Sequence, residues 1–301
     1  MTPIAELVGH VTDMTNFKTL DDYRDFALSY LDFVEQGLQA KIVCQNENDY
    51  VFFQYKEDCA YNITRPINSR LFCDLQSFES EARRFKTSLK NAMSKKSRAE
   101  DERISFDRVV YTLQQAIAAT LDALPAKDAN RAKKVNGDLF ERLIRLMINE
   151  SGVPCESEKM DVPICDENGR KIHTVKYQHD LVARKAGDIK FIGSVKTSSK
   201  ERIDKIFLDK LLFSKFTKTD IPYIAVFLND VQRAKSETFG KHKINSTFLT
   251  GHFKAYTLRL TSLDGVYYCD LRPQMTTDPF LSSHISSIDK LFFDELKDLS
   301  K

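Results

Sequence analysis

Apolar residues recur at helical spacing through several long stretches of the chain and at strand-like density through shorter ones. Tyr23, Phe26, Ala27, Tyr30, Leu31 and Val34 make one apolar stripe. Thr19 with Asp22 three residues on has the form of a capping box, so a helix is predicted over 19–36. Residues 40–56 read as two short strands around the turn-prone Asn46-Glu47-Asn48-Asp49. A basic helix is expected over 78–97, a charged linker over 98–103, and a long helix over 106–124 that stops at Pro125. Phe140, Leu143, Ile144, Met147 and Ile148 then share the face of a helix over 129–150, ended by Gly152-Val153-Pro154.

Past that point the pattern becomes strand-like. Runs at 179–184 and 189–197 flank the turn signal Ala186-Gly187-Asp188, which predicts a β-hairpin. A turn centred on 187 and 188 places position 180 about opposite 196, so that Asp180 and Lys196 meet on one face. A helix follows to about 216, with Ile203, Ile206, Phe207, Leu211 and Leu212 facing the core; Ser198 and Glu201 have the spacing of its capping box. The run 222–228, PYIAVFL, suits a central strand covered on both faces, and the strand–helix–strand order makes it parallel to a neighbour. A second hairpin is expected from 255–261 and 266–271 around Asp264-Gly265, and a helix over 284–299 closes the chain. The fold class read from this order is α/β (α+β): a mixed central sheet flanked by helices, 104–301, behind a mainly helical region, 1–103.

Composition narrows the function. With 301 residues and 42% hydrophobic content the chain can bury a proper core. It has no run of 18 apolar residues and no basic segment followed by an apolar one near Met1, so a cytoplasmic location and no membrane partner are expected. Six cysteines show no metal-ligand spacing, and the six histidines form no zinc or hydrolase motif. The net charge of +2 hides an uneven distribution: residues 1–75 hold twelve acids against six bases, and 83–98 hold seven bases and no acid. That stretch is either a solvated helix face or an arm that contacts phosphates.

Asp180, Lys196 and a further acid are the parts of a magnesium-dependent phosphodiesterase. Mg2+ takes hard oxygen ligands and keeps several waters, and an adjacent lysine positions water and offsets developing charge. Ser194 stands two residues before Lys196, where most nucleases of the PD-(D/E)XK superfamily carry an acid. Ser194-Val195-Lys196 resembles the variant found in type II restriction endonucleases of the EcoRII, PspGI and NgoMIV group, in which the displaced carboxylate lies 13 or 14 residues beyond the lysine. Asp209 stands at plus 13, and Lys200, Glu201 and Arg202 match that group's basic–acidic–basic triplet, which reads G·C pairs.

The resemblance covers about residues 135–230 and departs in three places: His179 for a proline, Asp209 for a glutamate, and Lys200 for an arginine. It implies that Asp180, Asp209 and Glu141, on the preceding helix, hold Mg2+, and that Lys196 acts with them. It implies further that a homodimer cuts double-stranded DNA at a short palindrome with a CC/GG core. Ser198 and Ser199 are candidate phosphate donors beside the triplet, with capping as their ordinary use. Structure-specific or repair cleavage and a non-catalytic DNA-binding protein remain as alternatives; a cross-strand ion pair explains Asp180 and Lys196 without chemistry, and Asp161 and Asp188 are rival first acids.

Overall fold

The computed structural model describes residues 2–55, 63–94, 98–200, 202–234 and 242–301. Helix α1 (Ile4–Thr12) leads to α2 (Leu20–Gly37), where the Thr19–Asp22 capping box forms and Tyr23, Phe26, Ala27, Tyr30 and Leu31 are buried as the stripe requires. Strands β1 (Leu38–Val43), β2 (Tyr50–Tyr55) and β3 (Ile67–Asn68) make a small antiparallel sheet. The basic helix is α3 (Leu75–Lys90), capped by Asp74 through Ser77 N and shorter than expected; 95–97 lie outside the described residues. Helix α4 (Glu100–Leu121) takes in most of the expected linker. Glu100, Asp101 and Glu102 fall in its first turn, where acids favour the helix dipole, so the charged stretch starts a helix. From Val109 to Leu121 every residue of α4 is buried.

Helix α5 (Ala129–Glu150) has the predicted bounds. It precedes β4 (Cys155–Cys165), β5 (Lys171–Lys185) and β6 (Asp188–Lys196), then α6 (Ile203–Thr217), β7 (Tyr223–Phe227), β8 (Val231–Arg233), β9 (Ile244–Ser246), α7 (Thr250–Arg259), β10 (Gly265–Tyr268) and β11 (Ile285–Ser287). Six of these strands form one mixed sheet in the order β11-β10-β7-β6-β5-β4, parallel from β6 to β11 and antiparallel from β4 to β6. The fully buried β7 lies at its centre, parallel to both neighbours, as its apolar run dictates. Alternate residues face opposite ways. Ile224 and Val226 pack with α4 and α5 in the large core that also holds the N-terminal helices, while Ala225 and Phe227 pack with Ile203, Ile206, Phe207 and Phe253 of α6 and α7. Strand β4, at one edge of the sheet, carries Glu156, Glu158, Lys159, Asp161 and Pro163.

The expected hairpin over 255–271 does not form. Residues to Arg259 belong to α7, and β10 instead pairs in parallel with β7. The reason lies at Asp264: its carboxylate accepts from Lys210 Nζ at 2.6 Å and from Tyr223 N at 2.7 Å, which ties the start of β10 to β7. Residues 285–287 form β11, and the closing helical segment runs only from Ile288 to Leu299, with one π turn. On α6 the inward positions are Ile203, Ile206, Phe207, Lys210 and Phe213, whereas Leu211 and Leu212 are half-exposed.

Candidate active site

The β5–β6 hairpin turns on Ala186 and Gly187, both at positive φ (52° and 90°), a two-residue loop one position earlier than the sequence indicates. A bulge at Ala183–Arg184 then shifts the register, so that Leu181 faces Gly193. Asp180 is therefore level with Ser194 rather than with Lys196. The two still meet, because the long lysine side chain reaches back: Lys196 Nζ contacts Asp180 Oδ2. The same carboxylate oxygen accepts from Val195 N at 2.9 Å, and Arg145 of α5 donates to the Asp180 carbonyl at 3.1 Å. Asp180 is buried at 7% exposure.

Glu141 approaches from α5, placing Oε1 3.2 Å from Lys196 Nζ. Burial, and secondly the charge of Asp180, push its carboxyl above the usual range, against the pull of Lys196. Asp209, on α6, is half-exposed. Burial raises its carboxyl also, opposed by Lys205 and Lys196 and reinforced by Asp180. It makes no hydrogen bond or ion pair among the described residues and belongs to the cluster only through these longer-range charges. Ser194, where a strand acid is usual, is buried and shares a 3.0 Å hydrogen bond with Tyr223 OH, whose ionisation is opposed first by burial and then by Asp209 and Asp180. The structure thus brings Asp180, Lys196 and Glu141 together and leaves Asp209 at the margin.

Among the described residues no three histidine, cysteine or acidic side chains form a ready-made metal site. Asp180 and Glu141 nevertheless both touch one ammonium, so their oxygens fit a small hard cation at that point. Asp161, one rival acid, pairs with Lys176 out along β4–β5, and Asp188 closes the turn 3.8 Å from Lys190; neither borders Lys196.

Glu141 and Lys196 open onto a cleft of about 900 Å³ whose lining includes Ser198, Lys200 and Arg202. Among the described residues seven basic and three acidic side chains border it, which gives the cleft a positive field. Glu201 lies outside the described residues. The expected capping box is not the start of α6: the helix begins at Ile203 behind Arg202, without a side-chain cap. Ser198 Oγ accepts from Lys200 N at 3.2 Å, while Ser199 is buried with its hydroxyl 3.4 Å from Thr247 Oγ1.

Two neighbours were given no role from sequence. Arg145 lies one helical turn after Glu141 on α5, a spacing that could have indicated it. His179, which the sequence marks only as standing in place of a proline, is buried, with neither ring nitrogen hydrogen-bonded among the described residues, and burial lowers its pKa. Its neutral ring meets Phe213 edge-on at 4.9 Å and packs as an apolar side chain beside Asp180.

No family model matches the sequence, and no curated protein is significantly similar to it. Among solved structures the chain is similar to the Type IIP restriction endonuclease Kpn2I, with a TM-score of 0.70 and 16% identity over 98% of this chain and 97% of that one. A weaker match is the restriction endonuclease PspGI in complex with substrate DNA, with a TM-score of 0.44 and 11% identity over 74% of this chain and 92% of that one. At such identity the first likeness speaks for architecture: the chain has a restriction endonuclease-like fold along nearly its whole length.

Proposed function

We propose that this protein is a type II restriction endonuclease that hydrolyses both strands of double-stranded DNA at a short G·C-containing palindrome. The observation that carries this reading is the convergence of Asp180, Lys196 and Glu141 at the edge of a basic cleft, on a fold of this kind. A buried ion pair kept only for stability gains little, because desolvation offsets attraction. An ammonium between two carboxylates, open to a cleft with a positive field, is suited to binding and attacking a phosphodiester.

In this reading Asp180 and Glu141, with Asp209 completing the acidic set, hold Mg2+, which when bound supplies Lewis-acid polarisation of the phosphate and a more acidic water. The chain's own groups do the rest. The Val195 amide and Arg145 fix the Asp180 carboxylate and backbone, and Lys196 donates toward the attacking water and the developing oxyanion. Lys200, Glu201 and Arg202 read two adjacent G·C pairs per half-site, the CC/GG core, with Ser198 and Ser199 beside them at the strand–helix junction. A palindrome has two scissile phosphates related by a two-fold axis, so a homodimer with one site per chain meets both. The region 1–103 serves DNA contact or dimerisation, and 104–301 form the catalytic part.

Digestion of plasmid DNA with magnesium, followed by sequencing of the ends, tests the reading. Discrete ends at one short palindrome are expected. Ends scattered without sequence preference would replace it with a structure-specific nuclease, and intact plasmid would overturn catalysis altogether.

A further inference from the structure

The cleft has a wall that neither the catalytic cluster nor the basic triplet accounts for. Strand β8 is three residues long, and its side chains alternate. Val231 packs into a small apolar cluster with Cys44, Tyr50, Phe52 and Ile244, which joins β8 and β9 to the N-terminal sheet. Arg233 points the same way: its guanidinium lies 5.5 Å over the Phe52 ring and donates to the Ile63 carbonyl at 2.8 Å. All three border the cleft that Lys196 and Glu141 also border, but Gln232, on the opposite face of the strand, is the one whose side chain meets the basic triplet.

Gln232 is held there. Its Oε1 accepts from Lys200 Nζ at 3.1 Å. The strand pair that carries it is clamped to the loop after β1, because Asn46 donates to the Ile244 carbonyl at 2.8 Å and accepts from Ile244 N at 3.0 Å, while Gln45 N donates to the His242 carbonyl at 2.8 Å. A carboxamide fixed by its oxygen retains a second lone pair and both N–H groups. That donor–acceptor pair matches adenine, which offers the N7 acceptor beside the N6 donor; guanine offers two acceptors and suits Lys200 or Arg202 instead.

We infer that Gln232 is a specificity-determining residue that reads an adenine edge next to the G·C core, with the N-terminal sheet acting as the brace that positions it. This rests on the nuclease reading above. The N-terminal region would then set sequence preference through Asn46, which bonds the strand pair and not the base.

The test is cleavage of a randomised duplex pool with magnesium and sequencing of the cut ends, for the wild-type chain and for Gln232→Ala and Gln232→Glu, each first shown to be folded by its thermal melt. For the wild type, one A·T position flanking the G·C core should be preferred by about tenfold or more, the value of one bidentate contact. Both variants should lose that preference at that position alone and keep the G·C core. An unchanged preference, a loss spread evenly over all sequences, or a wild-type motif without a fixed A·T position would overturn the inference while leaving the nuclease reading intact. A wild-type chain that cuts nothing in the pool would overturn both.

Discussion

Val195 N donates to Asp180 Oδ2 at 2.9 Å, so the strand that carries Lys196 also fixes the carboxylate that the lysine meets. The two partners cannot drift independently. A backbone amide costs no side-chain entropy to place, and the pairing of β5 with β6 sets it. The active-site assignment therefore leads to sharp expectations.

Lys196→Ala and Asp180→Ala should each lower cleavage by about a hundredfold or more, the scale of a lost electrostatic contact to a transition state, while DNA binding changes little. Single-turnover cleavage and a separate binding titration measure the two effects. Near-wild-type cleavage by either variant would sink the assignment.

Asp209→Ala should also lose activity, since Asp209 is proposed to replace the acid absent at Ser194. Ser194→Glu combined with Asp209→Ala should regain part of the loss, because the new carboxylate lies on the strand level with Asp180. The Tyr223 hydroxyl can then bond a carboxylate where it now bonds a hydroxyl. An Asp209→Ala enzyme that cuts at the wild-type rate shows that the third acid lies elsewhere.

Arg202→Ala should weaken cognate binding by about ten- to a hundredfold, because a guanidinium that bonds both O6 and N7 of a guanine discriminates by roughly 1 to 3 kcal/mol. Nonspecific binding, set by phosphate contacts, should fall far less. Competition between cognate and mismatched duplexes reads the ratio; equal discrimination by variant and wild type would refute the contact.

Asp270 provides a pH test away from the site. It is buried, with Tyr50 OH at 2.7 Å and Asn68 Nδ2 at 2.8 Å, and burial pushes its carboxyl up to about 6. The folded state thus holds this proton more tightly than the unfolded chain does. Its contribution is complete below the ordinary value of 3.8 and is lost as pH rises through about 6. Two units of difference correspond to on the order of 3 kcal/mol. Denaturant titrations at intervals from pH 4 to pH 7 should show a downward component that Asp270→Asn reduces; parallel slopes for the two proteins would exclude it.

Much of this was legible in the residues. The stripes of α2 and α5, the apolar run of β7 and the Gly187 turn each express one strong local rule, and the structure follows them. Lys196 and Asp180 were found by spacing although the register was off by two residues, since the turn sits one position earlier and the bulge recovers only part of the shift; a lysine side chain spans the difference. Legibility failed where contacts across the sheet decide. Residues 255–261 alternate as a strand would, yet α7 forms because Phe253 of the same helix packs into the core beside α6. Ser198 and Glu201 have capping-box spacing, but the helix starts after them. Gln232 had no sequence signal at all, since its importance comes from Lys200 and a cleft that only the folded chain assembles.

Strand β4 bears on how two copies can associate. A sheet edge with unpaired amides invites a second edge, and the resulting ribbon grows without limit. Pro163 lacks the amide such pairing needs, and Glu156, Glu158, Lys159 and Asp161 put charged side chains along the edge, which a second strand would have to desolvate. The opposite edge, β11, is three residues long and passes directly into a helix. Both borders of the six-stranded sheet thus resist extension by a further strand, and that sheet is not the surface through which one copy would add to another.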